Sequence, residues 1–326
     1  MGSRVDRKIT GSRVTLALAM LVVGCGGAGR TTSNAEGDGA SSSSAASSTS
    51  SSPSASSSSA SAKSSAEAPL AEGEVRIAKH FPAVGDRAST SRERSTSLKG
   101  ELRSENSTKP LDLTSIEPHN VEEECLAVED KRCVKMRVSY GKVAKLMTVD
   151  GKAQAELAPI AGKTYVVERL PDRVRVSSPD GAEVTKAERE RVAAEYGGPS
   201  QLREILEALP DRVKVGDKLD KLAKVLAEGR TLDSDVDMNI DVTIKVANIK
   251  RTAERTTVVL AVTMVVRAPE GKDDGSTMDL AGEIELRTDG GQPVRSEMSG
   301  AITVKFGGRG HAAGTFSDKS TMDYSW

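Results

Sequence analysis

The clearest periodicity lies in the last third of the chain. Met238, Ile240, Val242, Ile244 and Val246 alternate with polar residues, which predicts a half-buried strand. Thr256 to Val266 is β-branched and more continuously apolar, as a central strand covered on both faces would be. Met278, Leu280, Ile284 and Leu286 alternate again and stop at Asp289-Gly290-Gly291, a strong hairpin signal. A return strand carries Val294, Met298, Ile302, Val304 and Phe306. A last one carries Phe316, Met322, Tyr324 and Trp326, the final three on one inward face. The pattern predicts an antiparallel meander of five long strands.

Upstream the same alternation is fainter. Asp150-Gly151 and Asp180-Gly181 mark turns between short alternating runs such as Tyr165 to Glu168 and Val174 to Ser177. Between the two β regions the period changes. Thr185 and Glu188 have capping-box spacing for a helix through about Tyr196. Pro199 suits a first helical position, with Leu202, Ile205, Leu206 and Leu209 on one face. Asp217 is placed to cap a third helix bearing Leu219, Leu222, Ala223 and Leu226, closed by Gly229. The expected fold class is α+β, mainly antiparallel β: a long-stranded, curved, half-barrel-like sheet with a helical insertion at about 185–228. Strands of up to about 12–14 residues exceed the usual five or six, and a long sheet curls and needs a cover. This plan resembles the LolA/LolB and LppX type of lipoprotein carriers in architecture. The resemblance implies that an acyl chain is sheltered between sheet and helices.

The N-terminal pattern is of another kind. Arg4, Arg7, Lys8 and Arg13 precede an apolar run from Val14 to Val23, the layout of an export signal and too short for a membrane-spanning helix. Val22-Val23-Gly24-Cys25 resembles the lipobox of bacterial lipoproteins. In that family signal peptidase II cuts before the cysteine, which carries the lipid. The resemblance implies that residues 1–24 are a signal peptide and that Cys25 is a lipidated mature N-terminus. Several acyl chains suffice for stable anchoring. Gly26, rather than aspartate, follows the cysteine, which by the family's sorting rule favours an outer membrane. Residues 25–69 then form a tether: 41–65 are almost entirely serine and alanine, a composition that cannot offset the entropy of ordering. Residues 70–326 are expected to form a single β-rich domain.

Composition narrows the function more than it names it. The net charge is −1 without a basic stripe, which argues against nucleic acid. Aromatic residues are 2% of the chain, few for stacking sugars or bases. Beside Cys25 there are two further cysteines, Cys125 and Cys133, in ECLAVEDKRC. With a loop at Val128–Asp130 they face each other across a hairpin, and an oxidising envelope would join them. Two free thiols or a metal pair are the alternatives. Glu122, Glu123 and Glu124 read as a solvated charge run. Asp233, Asp235 and Asp237, with Asp241, share a parity and form a weak calcium candidate, or else the charged face of an edge strand. His80, His119 and His311 are far apart in loop-like contexts. Leu170-Pro171-Asp172-Arg173-Val174 recurs at 209–213, and Val84-Gly85-Asp86 at 215–217, from duplication or from shared turn chemistry.

Nucleophile-elbow, P-loop and zinc-protease motifs are absent from the sequence. The reading is a non-catalytic envelope lipoprotein that needs no cofactor. It is held at the membrane by its lipid and binds an apolar or lipid-like ligand or serves as a structural module. The alternative is an envelope enzyme whose site is assembled from dispersed residues.

Overall fold

The computed structural model describes residues 70–326 apart from 105–106, 172, 197–201, 232–238, 268–275 and 306–309. Cys25, Pro199, Phe306 and the row Asp233, Asp235 and Asp237 lie outside the described residues. The elements in chain order are β1 (Val75–Arg76), β2 (Arg87–Ser104), β3 (Ser107–Glu129), β4 (Arg132–Val149), β5 (Lys152–Leu157), β6 (Thr164–Arg169) and β7 (Val174–Ser177). Then follow α1 (Lys186–Tyr196), α2 (Leu202–Ala208), β8 (Arg212–Val213) and α3 (Asp220–Thr231). The chain ends with β9 (Asn239–Arg251), β10 (Thr256–Arg267), β11 (Thr277–Arg287), β12 (Pro293–Lys305) and β13 (Gly310–Ser325).

Eleven strands form one antiparallel sheet in the order β7-β6-β4-β3-β2-β13-β12-β11-β10-β9, with β5 beside β4. The five-stranded meander is therefore present as β9 to β13, and the fold class is the mainly antiparallel α+β one that the alternation predicts. The N- and C-terminal halves join where β2 pairs with β13 from Arg87↔Ser325 to Leu102↔Gly310. β3, at 23 residues, is longer than any strand the alternation suggested.

Two apolar clusters tie the helices to the same face of this sheet, the inner face. At one end Leu206, Leu209, Leu219 and Leu222 of the helical segment pack on Ile244, Val246, Val258, Leu260 and Leu286. At the other, Val192 and Tyr196 of α1 pack on Val138, Tyr140, Tyr165 and Val167. The capping box is present: the Thr185 amide donates to Glu188 Oε2 at 2.7 Å and the Glu188 amide to Thr185 Oγ1 at 3.3 Å. Two boundary expectations fail. Asp217 does not cap α3; its carboxylate accepts from the Lys214 amide at 2.9 Å and closes a turn, and α3 begins at Asp220. Gly229 lies within α3 rather than ending it.

That turn accounts for one sequence repeat. Gly85 and Gly216 both have positive φ, and Asp86 and Asp217 each accept from an amide three residues back. Each turn then clamps a strand residue by two backbone bonds, Cys125 in one case and Val246 in the other. The recurrence of Val-Gly-Asp is shared turn chemistry used twice.

The curvature of the sheet has a local cause. Gly282 in β11, Gly300 in β12, Gly314 in β13 and Gly100 in β2 lie on the inner face and step diagonally across four neighbouring strands. A Cβ on Gly300 would sit 1.8 Å from the Asp279 carbonyl oxygen, and one on Gly314 1.7 Å from that of Ser97, so no side chain fits there. Glycine inside a strand marks such close backbone approach and lets a sheet bend. Three of these glycines have large apolar register partners on the next strand: Met298 opposite Gly282, Phe316 opposite Gly300, Leu98 opposite Gly314.

Cys125 and Cys133 are joined by a disulfide, with Cα atoms 5.8 Å apart. The turn is tighter than the expected Val128–Asp130 loop: Asp130 and Lys131 both take positive φ, and Val128, not Cys125, is the register partner of Cys133. Bulges around Ala127 absorb the offset. The C-terminal residues are less buried than one inward face implies. Met322 and Tyr324 are half-buried, and Trp326 is exposed while stacking on His80 at 4.4 Å.

Two outcomes are expected in urea titrations. Gly300→Ala should lower stability by about 3 kcal/mol, because backbone on the neighbouring strand must move, whereas Ala281→Ser on the outer face should change it little. Replacing both Cys125 and Cys133 by alanine should cost about 2.5 kcal/mol through the small closed loop.

Candidate functional site

The inner face changes character along the strands. Beyond the helices it is apolar: Leu98, Met264, Val266, Met278, Leu280, Ile302, Val304 and Phe316 form a buried cluster. Between Val266, Ser276, Thr277, Met278 and Ile302 this surface carries only a shallow apolar dip, too small to enclose a water molecule. Two residues further along each central strand the face becomes charged. Asp318 of β13, Arg94 of β2 and Glu117 of β3 are register partners in one row, with Arg92 and His119 in the next. The switch falls between Phe316 and Asp318 on β13, and between Thr96 and Arg94 on β2.

Ion pairs and hydrogen bonds lace the charged belt together. Arg92 Nε donates to Asp318 Oδ1 at 2.8 Å, and Arg94 lies 3.9 Å from the same carboxylate. Lys145 of β4 pairs with Glu117 at 3.3 Å. Helix α1 lays two more charges over the belt: Arg191 and Glu195 pair at 3.3 Å, and Glu195 also faces His119 at 3.5 Å and accepts from the Tyr140 hydroxyl at 2.8 Å. Beside it the Tyr196 hydroxyl donates to Glu123 at 2.5 Å. Cations outnumber carboxylates: Arg92, Arg94, Lys145 and Arg191 face Asp318, Glu117 and Glu195.

The electrostatics follow from burial. Arg94 is held down to about 10 by desolvation and then by neighbouring Arg92, so it stays charged at neutral pH. Burial pushes the Glu123 carboxyl up, against the hydrogen bond from Tyr196. Burial would raise Glu195 as well, but His119, Arg191 and the Tyr140 hydrogen bond outweigh it and hold the carboxyl below its ordinary value. The Tyr140 phenol is driven far up by burial and then by Glu195.

Several sequence readings change here. Glu122–Glu124 is not a uniformly solvated run, because the strand alternation turns Glu123 inward to Tyr196. His119 is not in a loop but within β3, in the belt. His80 binds Asp86 at 2.7 Å, and His311 lies exposed on β13. Among the described residues no group of three His, Cys, Asp or Glu side chains is placed to hold a metal ion. Of the predicted site residues, Cys125 and Cys133 come together in the disulfide, at the end of the sheet opposite the apolar cluster. The belt itself was missed. Its signal, charged residues on the inward parity of long strands, is visible at Arg92, Arg94, Glu117 and Asp318 only once the register is known.

No protein-family model matches the chain, and neither does any curated protein sequence. Among solved structures, the chain is similar to lipovitellin, studied for its lipid–protein interactions, at 9% identity and a TM-score of 0.33. The match covers 75% of this chain and 25% of that one, so the chain spans about a quarter of the lipovitellin chain. A likeness at this level decides neither fold nor ligand.

The attachment of α1 beside the belt should depend on acid. Glu188 is held down to about 2, first by the Lys163 hydrogen bond and then by the Thr185 amide. A depressed carboxyl stabilises the fold fully above its unfolded value and loses that contribution as pH falls through the folded value. Denaturation midpoints should therefore fall between about pH 4.5 and about pH 2, more steeply in the wild type than in Glu188→Gln. Equal slopes would show that the capping carboxylate is not coupled to folding.

Proposed function

We propose that the chain is a lipid-anchored protein of the cell envelope, held at an outer membrane through Cys25, whose folded part binds a single-chain amphiphile with an anionic head. The observation that carries this reading is the gradient on the inner face. An apolar cluster runs, within two residues on each central strand, into a belt where cations outnumber carboxylates. A tail needs the first surface and a carboxylate or phosphate head the second. The ligand's place differs from the one the carrier resemblance implies. Under the helices, Leu206, Leu209, Leu219, Leu222, Ile244, Val246 and Leu260 are buried against one another. The tail would lie beyond them, on the glycine-lined bend.

The enzyme reading has one observation in its favour, the convergence of His119, Tyr140 and Glu195. Against it, the phenol is pushed away from ionisation and both Glu195 oxygens are engaged, one by Arg191 and the other by Tyr140. A general base needs a free lone pair directed at a substrate.

Equilibrium dialysis of the full chain carrying Cys25→Ala, which removes the anchor, against labelled oleate tests the ligand. Saturable binding of one molecule per chain is expected, weakened roughly tenfold by Arg92→Gln because a charge-assisted contact is lost. The uncharged methyl ester should bind less well. Absence of saturable binding would overturn the ligand reading. The anchor is tested separately: Cys25→Ala should abolish metabolic palmitate labelling and move the protein out of the detergent phase.

A further inference from the structure

The sheet has one edge strand that nothing among the described residues covers. At the far edge, β9 is capped where the Gly216 amide donates to the Val246 carbonyl at 2.8 Å and the Leu219 amide to the Ile244 carbonyl at 3.0 Å. At the near edge β7 is only four residues long, with Val176 packed into the cluster that α1 closes. β5 differs. It pairs with β4 through six consecutive residues, from Lys152↔Val149 to Leu157↔Ala144, with no bulge. Every one of its residues is exposed. It contains no proline, and β6 and β7 sit beside the other half of β4, so they leave the outer edge of β5 open as a notch. Unpaired main-chain groups on a straight, unblocked edge are a template for strand addition.

The sequence of the strand, KAQAEL, says what would fit. Two copies laid antiparallel about Gln154 put Lys152 of each opposite Glu156 of the other, on one face and twice by symmetry. Directly opposed charges of opposite sign stabilise a strand pair, and like charges oppose it. The same register sets Ala153 against Ala155, so the other face meets without steric conflict. On that outer face Leu157, 70% exposed, continues into Leu146 and Ile116, both more than one-third exposed, a ledge of apolar surface bordering the seam. An isologous pairing of this kind closes on itself, because each β5 has a single open edge.

We propose that the chain self-associates as a two-fold dimer through β5, in the register that pairs Lys152 with Glu156 and places the two Gln154 residues face to face. The contact joins two sheets into one and leaves both inner faces open. It does not depend on what those faces hold.

The register makes the test specific. In the full chain carrying Cys25→Ser, with Cys125 and Cys133 already joined, Gln154→Cys should form a disulfide-linked dimer on mild oxidation at least tenfold more readily than Lys152→Cys, whose register partner is a glutamate. Sedimentation equilibrium at concentrations approaching millimolar should show a monomer–dimer equilibrium. Lys152→Glu should weaken it roughly tenfold by opposing two glutamates across each pair, and the double variant Lys152→Glu/Glu156→Lys should restore it. A chain that stays monomeric would overturn the proposal. So would equal cross-linking at positions 152 and 154, or a dimer indifferent to both charge variants, since either points to another surface.

Discussion

A line of four glycines decides what this sheet can do. Strands as long as β2, β3 and β13 would form a broad twisted ribbon if every inward position carried a side chain. Gly282, Gly300, Gly314 and Gly100 remove side chains along a diagonal where neighbouring backbones come too close for a Cβ. Met298, Phe316 and Leu98 are the register partners of the first three and line the same face. The bend and its apolar lining thus arise from the same residue pairs. Burial of large side chains opposite glycines recovers part of the stability that glycine costs a strand.

The rest of the molecule is arranged around that bend. The helices occupy the two ends of the inner face and leave its middle to the charged belt. The disulfide-linked hairpin of β3 and β4 reaches across to the other end: Arg132 pairs with Glu204 and Asp130 with Arg203 at the start of α2, and Lys131 lies 4.4 Å over the Phe81 ring. The two helical covers are therefore linked by a closed hairpin as well as by the sheet. Isolated surface ion pairs contribute little. These act together with a cross-link that limits how far the hairpin can move, so the middle of the inner face keeps a defined width.

The sequence carries much of the fold and little of the site. Alternation in residues 238–326 announces the β9 to β13 meander, and Thr185 with Glu188 announces α1, because both signals depend on local periodicity and capping. The β2–β13 pairing is not local. Residues 87–104 are rich in serine, arginine and glutamate, with Leu98 and Leu102 the only large apolar side chains, so no alternation of apolar residues marks the strand. Its inward positions hold Arg92 and Arg94, which meet Asp318 arriving from the far end of the chain. The belt was invisible for that reason. The glycines at 282, 300 and 314 were in plain view inside strand-like runs, yet single glycines acquire meaning only when the register lines them up.

That one sheet continues through the bend, rather than two flat sheets meeting at a hinge, is the central structural claim. Hydrogen exchange resolved to single amides measures it directly. Amides flanking the bend, at Ser299, Ala301, Ala313 and Thr315, should exchange as slowly as those of β10 from Val262 to Met264, where the ladder is regular on both sides, because the ladder is unbroken through the bend. Rapid exchange along the glycine diagonal, with slow exchange on either side, would contradict a continuous bent sheet and with it the single inner face on which the proposed site depends.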